Sequence, residues 1–176
     1  VSDETRAVQP FRLEPATRVV RVGVPLNLLP GKKPELDLEA ITAAPEESCY
    51  YATGSHGVAR TSGAVSLDRC WVFRLPADPR TREIQRNKIA QVTLRPLLAA
   101  DPMLKGALDR PTGDGGLDIE GLAEKNGTLY FGLRAPSLDG HTFILEINAR
   151  DLFSGNAPAL RRHELLRRRC ATGQPQ

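Results

Sequence analysis

No stretch of this sequence approaches the ~20 consecutive apolar residues that a helical membrane span needs, so no such span is expected. A signal-peptide pattern is also missing. The chain opens at Val1 without Met, so an N-terminal portion is expected to have been removed or left out. The reading is a soluble protein, with periplasm and cytoplasm both compatible. Charge of one sign is lacking too: the net charge of +3 makes no case for a nucleic-acid partner. The three cysteines are an odd count, which excludes a complete disulfide framework. Cys49 and Cys70 are expected at opposite ends of adjacent antiparallel strands, on the order of 15 Å apart at the usual rise per residue and too far to bridge. Cys170 reaches either only through the tertiary fold. Three reduced, mostly buried thiols are expected, none with zinc-site spacing. No Gly-x-Ser-x-Gly nucleophile elbow occurs, and the three histidines are scattered.

What is present is a repeat. Glu35-Leu36-Asp37-Leu38-Glu39-Ala40-Ile41-Thr42 is echoed by Gly116-Leu117-Asp118-Ile119-Glu120-Gly121-Leu122-Ala123, with Asp118 81 residues after Asp37. Tyr50-Tyr51-Ala52-Thr53-Gly54 answers Leu129-Tyr130-Phe131-Gly132-Leu133. Trp71-Val72-Phe73-Arg74-Leu75 answers Phe143-Ile144-Leu145-Glu146-Ile147. A repeated set of short strands signals a repeat architecture. Gly 15 and Pro 14 suit many strands and turns.

In order, strands are expected at Val1 to Glu4, Ala7 to Leu13 and Arg18 to Leu26. The first full unit then has strands at Leu38 to Ala43, Cys49 to Thr53, Cys70 to Leu75 and Ile89 to Leu94, with Trp71, Phe73 and Leu75 on one face. A short helix is expected from Pro96 to Leu108, interrupted near Pro102. The second unit has strands at Ile119 to Glu124, Thr128 to Leu133 and His141 to Asn148. Asn126-Gly127 is a two-residue hairpin signal between the first two. Ala159 to Leu166 is read as the outer strand, its Leu/Arg content also permitting a helix. Four strands, a connection and four strands again is the blade pattern of a β-propeller. The expected fold is all-β, a partial β-propeller of nearly three four-stranded blades with one short helix. It divides into an incomplete blade at 1–28, a blade at 36–95, a helix and loop connection at 96–116, a blade at 117–168 and a tail at 169–176. An open apolar blade face makes self-association an expected property.

In a blade, the lead-in to the innermost strand and the loop between the second and third strands emerge on one side. That places Asp37, Glu39, Asp118 and Glu120 near Ser55, His56, Arg60, Arg134, Asp139 and His141, with Asp3 and Glu4 at the matching place in the partial blade. Repeated carboxylates suit a hard cation such as calcium. They equally suit bonding the backbone N–H groups of a neighbouring blade, the reading preferred here to metal ligation. Ser55, His56, Arg134 and His141 are the candidate contacts for a small anionic ligand, Arg134 because a guanidinium forks onto carboxylate or phosphate. Ser55 beside His56 is read as a polar loop feature before a catalytic pair.

Leu36-Asp37-Leu38-Glu39-Ala40, Gly54-Ser55-His56, Arg69-Cys70-Trp71-Val72-Phe73-Arg74-Leu75 and the stretch Gly116 to Ala123 followed by Gly132-Leu133-Arg134-Ala135-Pro136 resemble one bacterial family. It is the family known as domain of unknown function 3616, and the resemblance runs from about Val1 to Ile147. The resemblance implies a propeller and assigns no activity. Asp118, Glu120 and Gly121 form an Asp-x-Glu-Gly signature similar to that of the esterase-like phytase propellers. Asp37 and Glu39 match it less closely because Ala40 replaces the glycine. Two functions are therefore carried forward. One is a ligand- or protein-binding scaffold with no chemistry. The other is a calcium-assisted hydrolase of a phosphoester or ester, with Asp37, Glu39, Asp118 and Glu120 near the cation.

Overall fold

Apolar residues recur at every second position along Leu129, Phe131 and Leu133 and along Phe143, Leu145 and Ile147, and such stretches fold as strands. The computed structural model describes residues 7–8, 11–14, 18–21, 25–29, 36–58, 64–138, 140–155 and 158–166. The first strands are β1 (Ala7–Val8), β2 (Phe11–Glu14), β3 (Arg18–Arg21) and β4 (Leu26–Asn27). Next come β5 (Leu38–Ala44), β6 (Cys49–Gly54), β7 (Val72–Pro76), β8 (Ala90–Val92) and helix α1 (Arg95–Ala100). They are followed by β9 (Asp118–Lys125), β10 (Thr128–Ala135), β11 (His141–Asn148), helix α2 (Ala149–Ser154) and β12 (Arg161–Leu166). The fold is all-β. Strands β5 to β8 make one four-stranded antiparallel sheet in sequence order, sheet 1, and β9 to β12 make a second, sheet 2.

The repeat is preserved down to residue pairing. Tyr51 pairs with Thr42 and Arg74 in sheet 1, and Tyr130 pairs with Ala123 and Glu146 in sheet 2. Thr53 faces Val72 as Gly132 faces Ile144. β5 and β9 are equivalent first strands and lie against each other. The Asn126-Gly127 signal holds: both residues have positive φ, 53° and 75°, between β9 and β10, as a type I′ hairpin turn requires.

Two cores sandwich sheet 1. Ala44, Cys49, Tyr51 and Val72 point one way, into a core shared with Leu129, Phe131, Phe143, Leu145 and Ile147 of sheet 2. Leu38, Ala52, Phe73 and Leu75 point the other way, into a core with Leu26, Leu28 and Leu36, where Trp71 packs at the margin. Trp71, Phe73 and Leu75 thus share a face, as the alternation implies. Leu94, Leu98, Leu104 and Leu108 of the connection between the sheets fill the first core. Cys49 and Cys70 are free and buried.

Some elements differ from expectation. Within the strands expected at Ala7 to Leu13 and Arg18 to Leu26, the described residues pair as β2 with β3 and β1 with β4, in registers that differ by two positions. The expected strand at Val1 to Glu4, the tail at 169–176 and Cys170 lie outside the described residues. Helix α1 ends at Asp101, whose ψ of 120° is extended, because the residue before a proline is driven out of the helical region. Between Pro102 and Leu108 the expected helix is replaced by a 3-10 turn at Lys105–Ala107. A second helix, α2, corrects the expectation of a single one. Asn148 caps it by accepting the Asp151 N–H at 3.1 Å, and Gly155 ends it at φ 77°. Its Phe153 ring lies 5.8 Å from the Tyr51 ring, tying it to sheet 1.

Gly54 closes β6 where no side chain fits. A Cβ there would sit 2.3 Å from the Arg69 carbonyl oxygen and 2.8 Å from that of Leu36. Gly54→Ala is therefore expected to lower unfolding free energy by about 1–3 kcal/mol, the usual cost of forced overpacking. Urea denaturation checks this, and an unchanged midpoint would show that the backbone has room to part.

Candidate functional site

The site is built where β6 ends. Three successive residues bond outward through their backbones. The Gly54 N–H donates to Trp71 O at 3.0 Å, the Ser55 N–H to Asp37 O at 3.0 Å and the His56 N–H to Arg69 O at 3.1 Å. The Ser55 carbonyl in turn accepts the Ile119 N–H at 2.8 Å. This junction fixes the lead-in residues of β5 and β9 beside each other, and with them Asp37, Glu39, Asp118 and Glu120.

Three of the four carboxylates are held by two guanidinium groups. Arg69 donates to Asp37 Oδ2 at 2.9 Å. Arg134 grips Asp118 with one terminal nitrogen and Glu120 with the other. Thr112 Oγ1 also donates to Asp118, at 3.3 Å. Burial pushes the Asp118 carboxyl up, and the Arg134 charge only partly offsets this. Glu39 has no hydrogen bond or ion pair among the described residues. Its carboxyl is also raised, first by burial and then by Asp37, Asp118 and Glu120, against a lowering influence from Arg134. Four acids thus share a neighbourhood. Among the described residues, no three His, Cys, Asp or Glu side chains are gathered as a metal ion would need.

Ser55 and His56 turn inward. Ser55 Oγ accepts the Gly57 N–H at 3.1 Å, and Ser55 is 3% exposed. His56 is fully buried and held at φ 58°. Its Nδ1 lies 3.1 Å from the Gly54 carbonyl. A carbonyl only accepts, so Nδ1 carries the proton and Nε2 is an acceptor with no partner among the described residues. Burial lowers its pKa from 6.5 to about 4, so the ring is neutral at pH 7. His141 stands at the start of β11, its backbone closing a turn with Leu138 in both directions. Among the described residues its side chain makes no hydrogen bond to the carboxylates. Arg60, Asp139, Asp3 and Glu4 lie outside the described residues.

The structure thus brings Asp37, Glu39, Asp118, Glu120 and Arg134 together. It sets Ser55 and His56 in the junction beneath them, while the His141 side chain makes no hydrogen bond to the carboxylates among the described residues. Sequence reasoning missed Arg69 as a site residue. Its position at the head of Arg69-Cys70-Trp71 was the available signal: paired strands place it where His141 stands in sheet 2.

Residues 72–157 match the family described as Protein of unknown function (DUF3616), the family that the sequence motifs resemble. The matched stretch runs from β7 through α2 and contains Asp118, Glu120 and Arg134. Neither the curated proteins nor the solved structures contain a match to this chain.

Arg134→Ala is expected to lower stability at pH 7 by about 1–3 kcal/mol, because it leaves the buried Asp118 carboxylate uncompensated. The loss should shrink towards pH 4, where Asp118 can take up a proton. Denaturant titrations at both pH values check this, and a pH-independent loss would argue for packing instead. His56 acts in a different window. Its folded pKa lies below its unfolded one, so its contribution is full above about 6.5 and is lost as pH falls to about 4, amounting to roughly 3 kcal/mol. Glu39 and Asp118 work oppositely, because raised carboxyl pKa values favour the folded state on acidification. In His56→Asn, which tolerates positive φ, stability should change less between pH 6.5 and 4 than in the unsubstituted chain. An unaltered slope would remove His56 from the account.

Proposed function

We propose that this chain is part of a β-propeller and acts as a binding scaffold for a ligand or a protein, without chemistry of its own. One observation carries the reading: the side chains a reaction would need are committed to joints. Arg134 holds Asp118 and Glu120, Arg69 holds Asp37, and Ser55 Oγ accepts from Gly57 N–H. A neutral, buried His56 is poorly placed to meet an anion or to serve as a base. Two four-stranded meanders with their first strands together support the propeller. Among the described residues, four carboxylates stand against two guanidinium groups. That surplus favours a cationic group on the partner over the small anionic ligand that Arg134 alone invites.

Glu39 favours a second reading. A carboxyl raised by burial and three neighbouring acids is a place where a calcium ion would relieve repulsion. The ion would have to displace Arg134 from Asp118 and Glu120 before those two could ligate it. That arrangement would suit a calcium-assisted phosphoester or ester hydrolase similar to the esterase-like phytases.

The scaffold reading predicts that calcium does not raise the melting temperature, since a ligand stabilises only the state that binds it. It also predicts no turnover of generic phosphomonoesters or carboxylic esters. Calcium-dependent hydrolysis lost in Glu39→Gln would overturn the scaffold reading in favour of the hydrolase.

A further inference from the structure

The two units present the same surface twice, once covered by a neighbouring sheet and once, among the described residues, without one. On sheet 1 the surface comprises Thr42, Tyr51, Thr53 and Val72, and sheet 2 lies over it. Tyr51 is 1% exposed, and Thr53 and Val72 are 0% exposed. By register the matching residues on sheet 2 are Ala123, Tyr130, Gly132 and Ile144. These alternate with Leu129, Phe131, Leu133, Phe143 and Leu145, which fill the core towards sheet 1. They therefore lie on the face of sheet 2 turned away from it. There Tyr130, Gly132 and Ile144 are half-buried and Ala123 is exposed. Glu146, paired with Tyr130 on that face, is engaged by Arg161 at 3.4 Å and by His163 at 2.7 Å, towards the β12 edge, and by alternation Lys125 lies on the same face beyond Ala123.

We infer that the face formed by Ala123, Tyr130, Gly132 and Ile144 is an interface for a second copy of this chain. The surface has a known kind of occupant, since its counterpart on sheet 1 is covered by another unit of the same repeat. In a solution of this chain, such a unit is offered by other copies. The occupant on sheet 1 presents its opposite face, so the contact joins unlike surfaces. The open face of sheet 2 on one copy meets the end of the next copy that carries β1 to β4. Contacts of that kind close into rings or extend as open assemblies. The inference goes beyond the scaffold role and rests on the repeat, not on the carboxylates.

Sedimentation velocity of the full chain from micromolar to millimolar concentration tests it. The sedimentation coefficient of the unsubstituted chain should rise with concentration, and Tyr130→Arg should abolish the rise. Leu67→Arg, at a site 63% exposed before β7, should associate as the unsubstituted chain does. A monomer throughout, with further chain or no partner at all over the face, overturns the inference. So does a folded Tyr130→Arg variant that associates undiminished. If Tyr130→Arg does not fold, footprinting of Tyr130 in the unsubstituted chain decides: labelling that falls with concentration supports the interface, and labelling independent of concentration defeats it. A monomer without calcium-dependent turnover would defeat this interface and leave the scaffold reading standing.

Discussion

The structure depends on the backbone junction at Gly54, Ser55 and His56. Within three residues it ties the starts of β5, β7 and β9 together through four backbone hydrogen bonds. Each such bond contributes about 0.5–1.5 kcal/mol net. That offsets the roughly 1–3 kcal/mol of holding a non-glycine residue at positive φ. The junction explains both odd features of the segment. Gly54 has no room for a Cβ, and His56 is a neutral imidazole buried with one nitrogen that has no partner among the described residues. Residues that look reactive in a list of motifs are thus part of the frame. Chemistry-bearing side chains at the lead-ins of β5 and β9 take their places from this frame.

Much of this was legible beforehand because strand pairing obeys local rules. The echo of Asp37-Leu38-Glu39 in Asp118-Ile119-Glu120 marked the two first strands. The alternation of Trp71, Phe73 and Leu75 marked a buried face. Asn126-Gly127 could take the two positive φ values that its turn needs. What was missed lies where short-range signals are weak or burial decides. Helix α2 has only six residues, too short for periodicity, although its Asn148, Asp151 and Gly155 were readable as caps. Ser55 and His56 sit in a polar stretch, and nothing local says that such a stretch passes beneath the sheets. Arg69 was read as the head of a strand motif. Its ion pair with Asp37 spans 32 positions and exists only through the tertiary fold.

The two units solve the same electrostatic problem differently. Each begins its first strand with an aspartate close to the joint. In sheet 1 the compensating guanidinium comes from Arg69, just before the third strand, and in sheet 2 from Arg134, near the end of the second. In pairing terms Arg134 stands where Ser55 stands, and Arg69 where His141 stands. The acid occupies the matched position, while the cation arrives from a turn in one unit and from a strand in the other. A requirement of that form is met by charge and reach and does not demand one fixed geometry. It suits an anchor between strands better than a reaction centre, in which every member must be placed to within a fraction of an ångström.

The same comparison separates what this molecule has satisfied from what it has left open. At the carboxylate edge, three of four acids already have charge-assisted partners. A new polar ligand there must exchange one set of bonds for another, and such exchanges yield little net free energy. The outer face of sheet 2 differs, since Tyr130, Gly132 and Ile144 there are half-buried rather than enclosed. Tyr130 and Ile144 hold the positions that Tyr51 and Val72 hold in the covered interface. Each square ångström of apolar surface taken from water there contributes about 25 cal/mol. The larger unspent driving force therefore lies on a surface rather than in a pocket. That asymmetry is the physical ground for the proposed association between copies.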